Sequence, residues 1–295
     1  MAPTLDAHLW RSPLLGEPKH ADIAHGRIQY FERGHGPTLV FVHGWLANAN
    51  LWRSVIDDLA SDFRCIAVDM PLGAHRIPVL PGADLTPNGC ASIIRDFLEV
   101  MNLDQLTLVG NDSGGAYSQI TTANDSSRIS RLVLNACETP FDPFPPPPFD
   151  GLPAIAQSPA RFGELLAGLR NPDIRNSEGA FGLLSKRPLD GEASDSYALP
   201  SIVEPGVLAD FCRVVAATTP SAHHPAGRKL IADFPAPTLL AWNSEDRVFP
   251  PSHAERYAAE LTNGTFVAID DSYAFTPEDQ PAQLAQVIRD FRADG

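Results

Sequence analysis

A carboxylate and a hydroxyl group lie side by side in a glycine-rich stretch, residues 106–115, which reads L-T-L-V-G-N-D-S-G-G. An apolar run typical of a buried strand is followed there by glycines and then by a segment with helical character. In the pattern Gly-x-nucleophile-x-Gly, the central residue occupies a sharp and strained turn from strand to helix. Gly110 and Gly114 place Asp112 at this centre. The spacing therefore predicts a carboxylate nucleophile, with Ser113 as the alternative nucleophile and a purely connecting turn as the alternative without chemistry.

The elements around this turn alternate between strands and helices. Apolar runs without polar interruption are typical of strands covered on both faces, and such a rhythm predicts a mostly parallel, doubly wound sheet. An antiparallel pair of strands is predicted before it, within residues 20–33. The runs that predict buried strands are 37–42, 63–68, 106–110, 131–135, 237–242 and 265–269, and the amphipathic segments that predict helices are 49–60, 87–101, 113–124 and 281–293.

The rhythm stops at residues 139–149, T-P-F-D-P-F-P-P-P-P-F. Prolines cannot donate hydrogen bonds to a sheet and they hold the chain extended, so this run predicts a stiff exit from the sheet. A proline-rich binding motif is the alternative. Residues 152–220 carry helical patterns without strand runs. We therefore predict a core formed by residues 1–138 and 221–295, with a helical cap at 139–220.

Composition restricts the partners of the chain. A net charge of −14 over 295 residues argues against nucleic acids and anionic membranes. The first six residues lack the features of a signal peptide, and no apolar run approaches the roughly 18 residues of a membrane span. We expect a cytoplasmic protein without metal or cofactor, and a homodimer remains open. The four cysteines have no C-x-x-C spacing and predict free thiols: Cys65, Cys90, Cys137 and Cys212.

In this order, the pieces resemble the α/β-hydrolase superfamily over nearly the whole chain. The resemblance implies an eight-stranded, mostly parallel α/β sheet with an inserted helical cap. His43-Gly44-Trp45 looks like the oxyanion-loop motif of that family. The backbone N–H groups of Trp45 and Ser113 would then face a developing negative charge, while His43 would serve the structure of the loop.

The resemblance also suggests the acidic partner in the site. Residues 242–250, W-N-S-E-D-R-V-F-P, look like the loop that carries the acid of the catalytic triad. This likeness assigns Asp246 to the role of triad acid. Glu138 occupies the alternative acid position of some haloalkane dehalogenases, although we favour its interpretation as a solvated loop carboxylate.

An aspartate at the turn resembles haloalkane dehalogenases and epoxide hydrolases rather than esterases. A carboxylate can displace a leaving group from a saturated carbon and form an alkyl ester, which water must then cleave. Dehalogenases of this kind commonly have tryptophan after the nucleophile, where its indole binds halide, and Ser113 stands there instead. Trp45 could supply an indole, although a place in the core or the pocket wall is the favoured interpretation.

The family's general base, a histidine after the last strand, has no counterpart in this chain. Residues 271–281, D-S-Y-A-F-T-P-E-D-Q-P, have Ala274 at the histidine position. Tyr273 lies beside it and is a conceivable proton donor, although we favour packing. The remaining histidines that could approach a pocket are His75, His223, His224 and His253, and none of them obviously replaces the missing base.

Two enzymatic hypotheses and one without catalysis follow. In the first, the chain is a hydrolase that acts through Asp112 with an absent or substituted histidine base. In the second, it is a cofactor-free lyase, isomerase or cyclase, in which Asp112 is an acid, a base or an electrostatic group. In the third, it is a ligand-binding pseudoenzyme. The apolar cap favours a small or medium lipophilic substrate in each case.

Overall fold

The structure, a computed structural model, describes residues 6–293 and contains one eight-stranded sheet. The strand order is β1-β2-β4-β3-β5-β6-β7-β8. β2 pairs antiparallel with β1 and with β4, and every later pairing in the sheet is parallel. The strands are β1 (Pro18–Ile23), β2 (Gly26–Arg33), β3 (Thr38–Val42), β4 (Arg64–Val68), β5 (Leu106–Asn111), β6 (Ile129–Asn135), β7 (Thr238–Asn243) and β8 (Gly264–Ile269).

The predicted eight-stranded, mostly parallel sheet is therefore confirmed. Every residue of β5 and β7 is buried, which explains why these strands read as unbroken apolar runs. β8 forms the edge of the sheet, and most of its residues keep partial exposure. β5, which leads into the turn at Asp112, and β7, which precedes Asp246, thus lie in the best-covered part of the sheet.

Helices surround the sheet in two groups, as expected for a sheet covered on both faces. α3 packs against α2 and α11, whereas α1 packs against α14. The helices are α1 (Arg53–Leu59), α2 (Pro87–Val100), α3 (Ser113–Asn124), α4 (Leu152–Ala156), α5 (Pro159–Ala167), α6 (Pro172–Arg175), α7 (Phe181–Leu184), α8 (Gly191–Ala198), α9 (Pro200–Val203), α10 (Pro205–Ala216), α11 (His224–Asp233), α12 (Pro251–Glu260), α13 (Thr276–Asp279) and α14 (Pro281–Ala293).

The inserted segment between β6 and α11 is helical, as its sequence predicts. Its helices α4, α5 and α10 share a small apolar cluster of their own, which includes Phe162 and Phe211. Trp45 and Leu46 from the core contact this cluster. The amide of Asn48 in the core donates to the main-chain oxygen of Ser196 in α8 at 2.9 Å. The insertion is therefore attached to the core through α8 as well as above the site.

Short 3₁₀ turns complete the core. The helix predicted at 49–60 begins as a 3₁₀ turn, Ala49–Trp52, before it continues as α1. The side chain of Asn48 caps it by accepting the N–H of Asn50 at 3.0 Å. The other 3₁₀ turns are Ala7–Leu9, Pro13–Leu15 and Gly168–Arg170.

Two further predictions concern whole classes of residues. All four cysteines are free and buried, as predicted. Within residues 6–293, no helix is both long enough and apolar enough to cross a bilayer. The prediction about a signal peptide falls mainly on residues 1–5, outside the described residues.

The close approach of α3 to β3 leads to a stability prediction. A Cβ atom on Gly114 would lie 2.4 Å from the main-chain oxygen of His43, which is too close for two backbone segments to accept. We expect Gly114→Ala to destabilise the protein by about 1–3 kcal/mol, as overpacked sites do. Thermal or urea unfolding measures this change.

Gly168→Ala is the matched control. Its added Cβ meets no atom within 4 Å, and its φ of −58° suits alanine. Its stability should stay unchanged or rise slightly. Equal losses in the two variants would contradict the close approach at Gly114.

Candidate active site

The turn at Asp112 has the strained geometry that its glycine spacing predicts. β5 ends at Asn111 and α3 begins at Ser113, so Asp112 alone makes the turn. Its φ of 54° and ψ of −143° are unusual for a residue with a side chain. Its N–H donates to the main-chain oxygen of Ala136 at 2.9 Å, which fixes the turn against the end of β6.

Gly44 provides the space in which the Asp112 side chain lies. A Cβ atom on Gly44 would come within 2.4 Å of Oδ1 of Asp112. Any larger residue would therefore displace the carboxylate, and this contact explains the glycine of the predicted oxyanion loop.

Main-chain N–H groups surround the carboxylate and the neighbouring hydroxyl. The N–H of Ser113 donates to Oδ1 of Asp112 at 2.5 Å, and the N–H of Trp45 donates to Oγ of Ser113 at 2.9 Å. Burial raises the pKa of Asp112, while the hydrogen bonds from Ser113 and Trp45 partly oppose this rise. The two N–H groups predicted to face a developing anion thus converge on this turn.

A cavity of about 400 Å³ lies between the turn and the inserted helices. Asp112 and Ser113 contribute to its wall, and most of the remaining wall is apolar. The proline-rich run also contributes through Pro145, Pro146 and Pro148, so this segment is both an exit from the sheet and part of the cavity. The aromatic residues of the cavity wall are Trp45, Phe149, Phe162, Phe181 and Phe211.

Glu138 is a second carboxyl group in the wall of this cavity. Our interpretation of Glu138 as a solvated loop carboxylate is wrong, because the residue is only 1% exposed. Its Oε2 atom is buried without a hydrogen-bond partner. Desolvation raises the pKa of Glu138 well above its usual value, and the nearby charge of Asp112 raises it further. Both effects favour the protonated form of the Glu138 carboxyl group.

Asp246 lies on the loop after β7, at the same end of the sheet as Asp112. Its Oδ1 accepts the N–H groups of Val248 and Phe249, both at 2.8 Å, and its Oδ2 accepts the amide of Asn243 at 2.6 Å. Burial raises the pKa of Asp246 to about 7. The residue does not contribute to the cavity wall, so its catalytic role remains a prediction.

His43 binds the main chain and lies outside the cavity wall. Its Nε2 accepts the N–H of Met70 at 2.9 Å, so Nδ1 carries the proton and donates it to the carbonyl oxygen of Gly44 at 2.8 Å. Desolvation lowers the pKa of His43 to about 4. The sequence analysis expected His43 to serve the structure of the oxyanion loop, and both ring nitrogens do bind the main chain, one of them at Gly44 of that loop.

The other candidate histidines are bound elsewhere. Within residues 6–293, no histidine contributes to the cavity wall or forms a hydrogen bond with Asp246. His75 lies 3.3 Å from Asp210 of the inserted helices. The remaining three bind the segment that leaves β6: His223 to Thr139 O at 2.7 Å, His224 to Asp142 O at 2.6 Å and His253 to Asp142 Oδ1 at 2.6 Å.

Ala274 is completely buried, and its carbonyl oxygen accepts the amide of Asn111 at 2.9 Å. This bond joins the loop after β8 to the end of β5. Neighbouring Tyr273 lies outside the cavity wall, and the guanidinium of Arg247 stands 4.2 Å from its ring centre. The side chain at this position is a methyl group, and its correspondence to the family's base remains a prediction.

The indole N–H of Trp45 is directed into the core. Its Nε1 donates to the hydroxyl of Tyr117 at 3.0 Å, and its ring stacks on Phe144 with centres 5.6 Å apart. Trp45 thus forms a wall of the cavity with its ring, which agrees with the favoured interpretation of its role.

Comparisons with known proteins agree with this architecture. A family model described as alpha/beta hydrolase fold matches residues 37–281. The chain belongs to this family. It is thereby placed among the α/β-hydrolase-fold enzymes.

Individual relatives are distant. Haloalkane dehalogenase 2 of Mycobacterium bovis is 27% identical over 281 residues, which cover 92% of this chain and 93% of the relative. A solved epoxide hydrolase aligns with a TM-score of 0.76 at 20% identity, covering 94% of this chain and 99% of that one. An esterase from Thermogutta terrifontis aligns with a TM-score of 0.74 at 20% identity, covering 95% and 99%. These structural likenesses show the fold, which several hydrolytic activities share.

Sequence reasoning missed several residues of the site. It described the run that contains residues 145–148 and Phe149 as a stiff exit from the sheet, with a proline-rich binding motif as the alternative, and did not place it in a cavity wall. The position of this run after β6, at the end of the sheet where Asp112 lies, was a usable signal. The sequence analysis also favoured a solvated position for Glu138, although this residue follows β6 in the same way. The orientation of Trp45 towards Tyr117 has no signal in the sequence, since it depends on contacts between distant segments.

The raised pKa of Asp246 gives a testable dependence on pH. Its folded pKa of about 7 exceeds the model-compound value of 3.8, so the folded state binds the proton more tightly. The resulting stability is present below pH 4 and lost as the pH rises through 7. About 1.4 kcal/mol per unit gives a ceiling of roughly 4 kcal/mol, which partial exposure reduces to about 2 kcal/mol.

The measurement compares Asp246→Asn with the unaltered protein by urea unfolding between pH 4 and 8. The unaltered protein should lose stability relative to the variant as the pH rises, because asparagine does not titrate. A flat or opposite difference would mean that a cationic partner holds Asp246 ionised.

Proposed function

We propose that this protein is a hydrolase-type enzyme in which Asp112 attacks a small or medium lipophilic electrophile. The attack forms an alkyl ester on Asp112, and the residue that would normally help to cleave this ester is replaced by Ala274. The observation that carries the proposal is the half-buried Asp112 carboxylate on a strained turn that opens onto an apolar cavity.

The cavity supports a neutral and lipophilic substrate. Within the described residues, neither lysine nor arginine nor histidine contributes to its wall, and its ionisable side chains are three acids, Asp112, Glu138 and Glu178. An anionic substrate would be repelled and would lose its hydration without compensation. Leu165 and Ile174 are exposed members of the wall and supply an apolar entrance.

The setting of Asp112 supports nucleophilic attack. The N–H of Ser113 fixes one carboxylate oxygen, which leaves the other available for a carbon atom in the cavity. Because the surrounding cavity is apolar, the attacking oxygen is weakly hydrated and needs little desolvation during reaction. The names of two relatives, a haloalkane dehalogenase and an epoxide hydrolase, fit attack by a carboxylate on carbon.

The surroundings of Ala274 support slow cleavage of the ester. Water that attacks an ester must lose a proton, and a positioned base accelerates such a step by roughly 100- to 10,000-fold. Alanine has no basic atom, and no histidine of the described residues contributes to the cavity wall. We therefore expect the covalent ester to accumulate.

Intact-mass spectrometry tests this expectation with two six-carbon probes, 1-bromohexane and 1,2-epoxyhexane. The unaltered protein should gain the mass of one alkyl group and then turn over, at most, very slowly. Asp112→Asn should gain none, because an amide is a poor nucleophile. The four cysteines are buried, so an adduct that persists in Asp112→Asn would indicate alkylation elsewhere and would contradict the proposal.

Restoring the base is the second test. Ala274→His should allow repeated turnover if the site is a hydrolase that lacks only its base, and the release of 1,2-hexanediol measures this. Ala274→Leu controls for added bulk, since leucine has a similar volume without a basic nitrogen. Ala274 is completely buried, so both variants are first compared by thermal unfolding.

A different result would favour the second candidate function. Repeated turnover of a substrate without consumption of water, abolished in Ala274→His, would mean that Asp112 transfers protons or stabilises charge in a lyase, isomerase or cyclase. Repeated hydrolysis by the unaltered protein would contradict the missing base.

A further inference from the structure

We propose that Glu138 is a catalytic proton donor for the atom that leaves when Asp112 attacks the substrate. The site would then prefer substrates whose leaving atom is a basic oxygen, such as epoxides, over alkyl halides. This inference rests on the proposed nucleophilic role of Asp112 and adds a second residue and a substrate preference to it.

The position of Glu138 carries the first step. Glu138 and Asp112 contribute to the wall of the same cavity, so both carboxyl groups border the space in which a substrate would react. Glu138 is 1% exposed, and its Oε2 is buried without a partner from the protein. A buried carboxyl group that lacks a donor or a cation is held in its neutral form and can donate a hydrogen bond.

The hydrogen bonds decide which of the two acids holds the proton. The N–H of Ser113 donates to Asp112 and stabilises its charged form, whereas Oε2 of Glu138 receives no donor. When two neighbouring carboxyl groups lie in a site with little water, a single negative charge on the pair is more stable than two negative charges. The ionised member of the pair is therefore Asp112, the attacking group, and the protonated member is Glu138.

The second step of the argument concerns the groups in the cavity that could stabilise the leaving atom. Halide release through an indole N–H would need a free donor, but Nε1 of Trp45 donates to Tyr117 at 3.0 Å. Ser113 follows the nucleophile and its hydroxyl accepts the N–H of Trp45. The cavity thus provides no indole N–H for a halide ion, but it does provide a proton for a basic oxygen.

Glu178 is the other acid in the cavity wall, and it is a poor candidate for the same role. Its side chain is 81% exposed and forms an ion pair with Arg247 at 2.9 Å. It therefore faces water and a guanidinium rather than the buried end of the cavity. Glu138 is therefore the one described acid of the wall that can bring a proton to the buried end of the cavity.

The proposed step balances for an epoxide. An oxygen of Asp112 forms a bond to an epoxide carbon, and the C–O bond of the ring breaks with its electron pair moving to oxygen. That oxygen takes the proton of Glu138, which becomes a carboxylate. The pair begins and ends with one negative charge, so the step needs no cation in the cavity. Displacement of bromide needs no proton, because bromide is a very weak base.

The test compares how fast 1,2-epoxyhexane and 1-bromohexane alkylate Asp112, measured by intact mass under single-turnover conditions. Glu138→Gln keeps the shape and neutral charge of the protonated side chain but cannot transfer its proton. We expect the ratio of the epoxide rate to the bromide rate to fall by about 100-fold or more in this variant, the usual loss for a general acid. Glu164→Gln, on the exposed surface of α5, is the matched control and should keep the ratio of the unaltered protein.

The pH profile supplies a readout that a structural role would not change. In the unaltered protein, the epoxide rate should rise as Asp112 ionises and fall at higher pH as Glu138 loses its proton. The fall should vanish in Glu138→Gln and should be absent with 1-bromohexane.

The outcomes separate the two proposals. Alkylation by both probes with an unchanged ratio in Glu138→Gln would overturn the role of Glu138 and leave Asp112 as the nucleophile. Alkylation by neither probe in the unaltered protein would overturn the nucleophilic role of Asp112 and, with it, the role of Glu138.

Discussion

The strained turn at Asp112 is the constraint on which the rest of the site depends. A φ of 54° at a residue with a side chain persists only where the surroundings hold it. The N–H of Asp112 is bonded to the end of β6, α3 lies against β3 through Gly114, and Gly44 leaves room for the carboxylate. Three segments far apart in sequence therefore hold one side chain at the floor of the cavity.

Burial of acidic groups without a counter-charge determines the chemistry of this cavity. In many acid sites, a histidine or an arginine stabilises the carboxylate, but here the donors to Asp112 and Asp246 come from the main chain and an amide. Oε2 of Glu138 is buried without such a donor, and desolvation raises the pKa of this residue well above its usual value. The environments of Asp112 and Glu138 thus differ in the way that separates a nucleophile or base from an acid. Within the described residues, no histidine contributes to the cavity wall, so this difference between the two acids is central to the chemistry.

Much of the fold could be predicted from the sequence, because its signals are local. Unbroken apolar runs identify strands such as β5, and the spacing of Gly110 and Gly114 identifies the turn from β5 to α3. The environment of Glu138 could not be predicted in this way, since it lies in a cavity wall to which the turn at Asp112, the proline-rich segment and the inserted helices all contribute. The same holds for the indole of Trp45, whose partner Tyr117 is 72 residues away in sequence.

The insertion determines what reaches Asp112. Its apolar cluster contacts Trp45 and Leu46 of the core, so packing between the two parts of the chain forms one side of the cavity. Helical segments of this kind carry no readable code for a substrate, and the identity of the ligand follows only from the chemistry of the wall. That wall is apolar, aromatic and acidic.

Peptide mapping by tandem mass spectrometry tests the central claim most directly. After incubation with 1,2-epoxyhexane and digestion, the account predicts one hydroxyhexyl ester, located on Asp112 within the peptide that contains the turn. An adduct on Ser113, on Glu138 or on a cysteine, or an unmodified Asp112 in a protein that still consumes the epoxide, would contradict it.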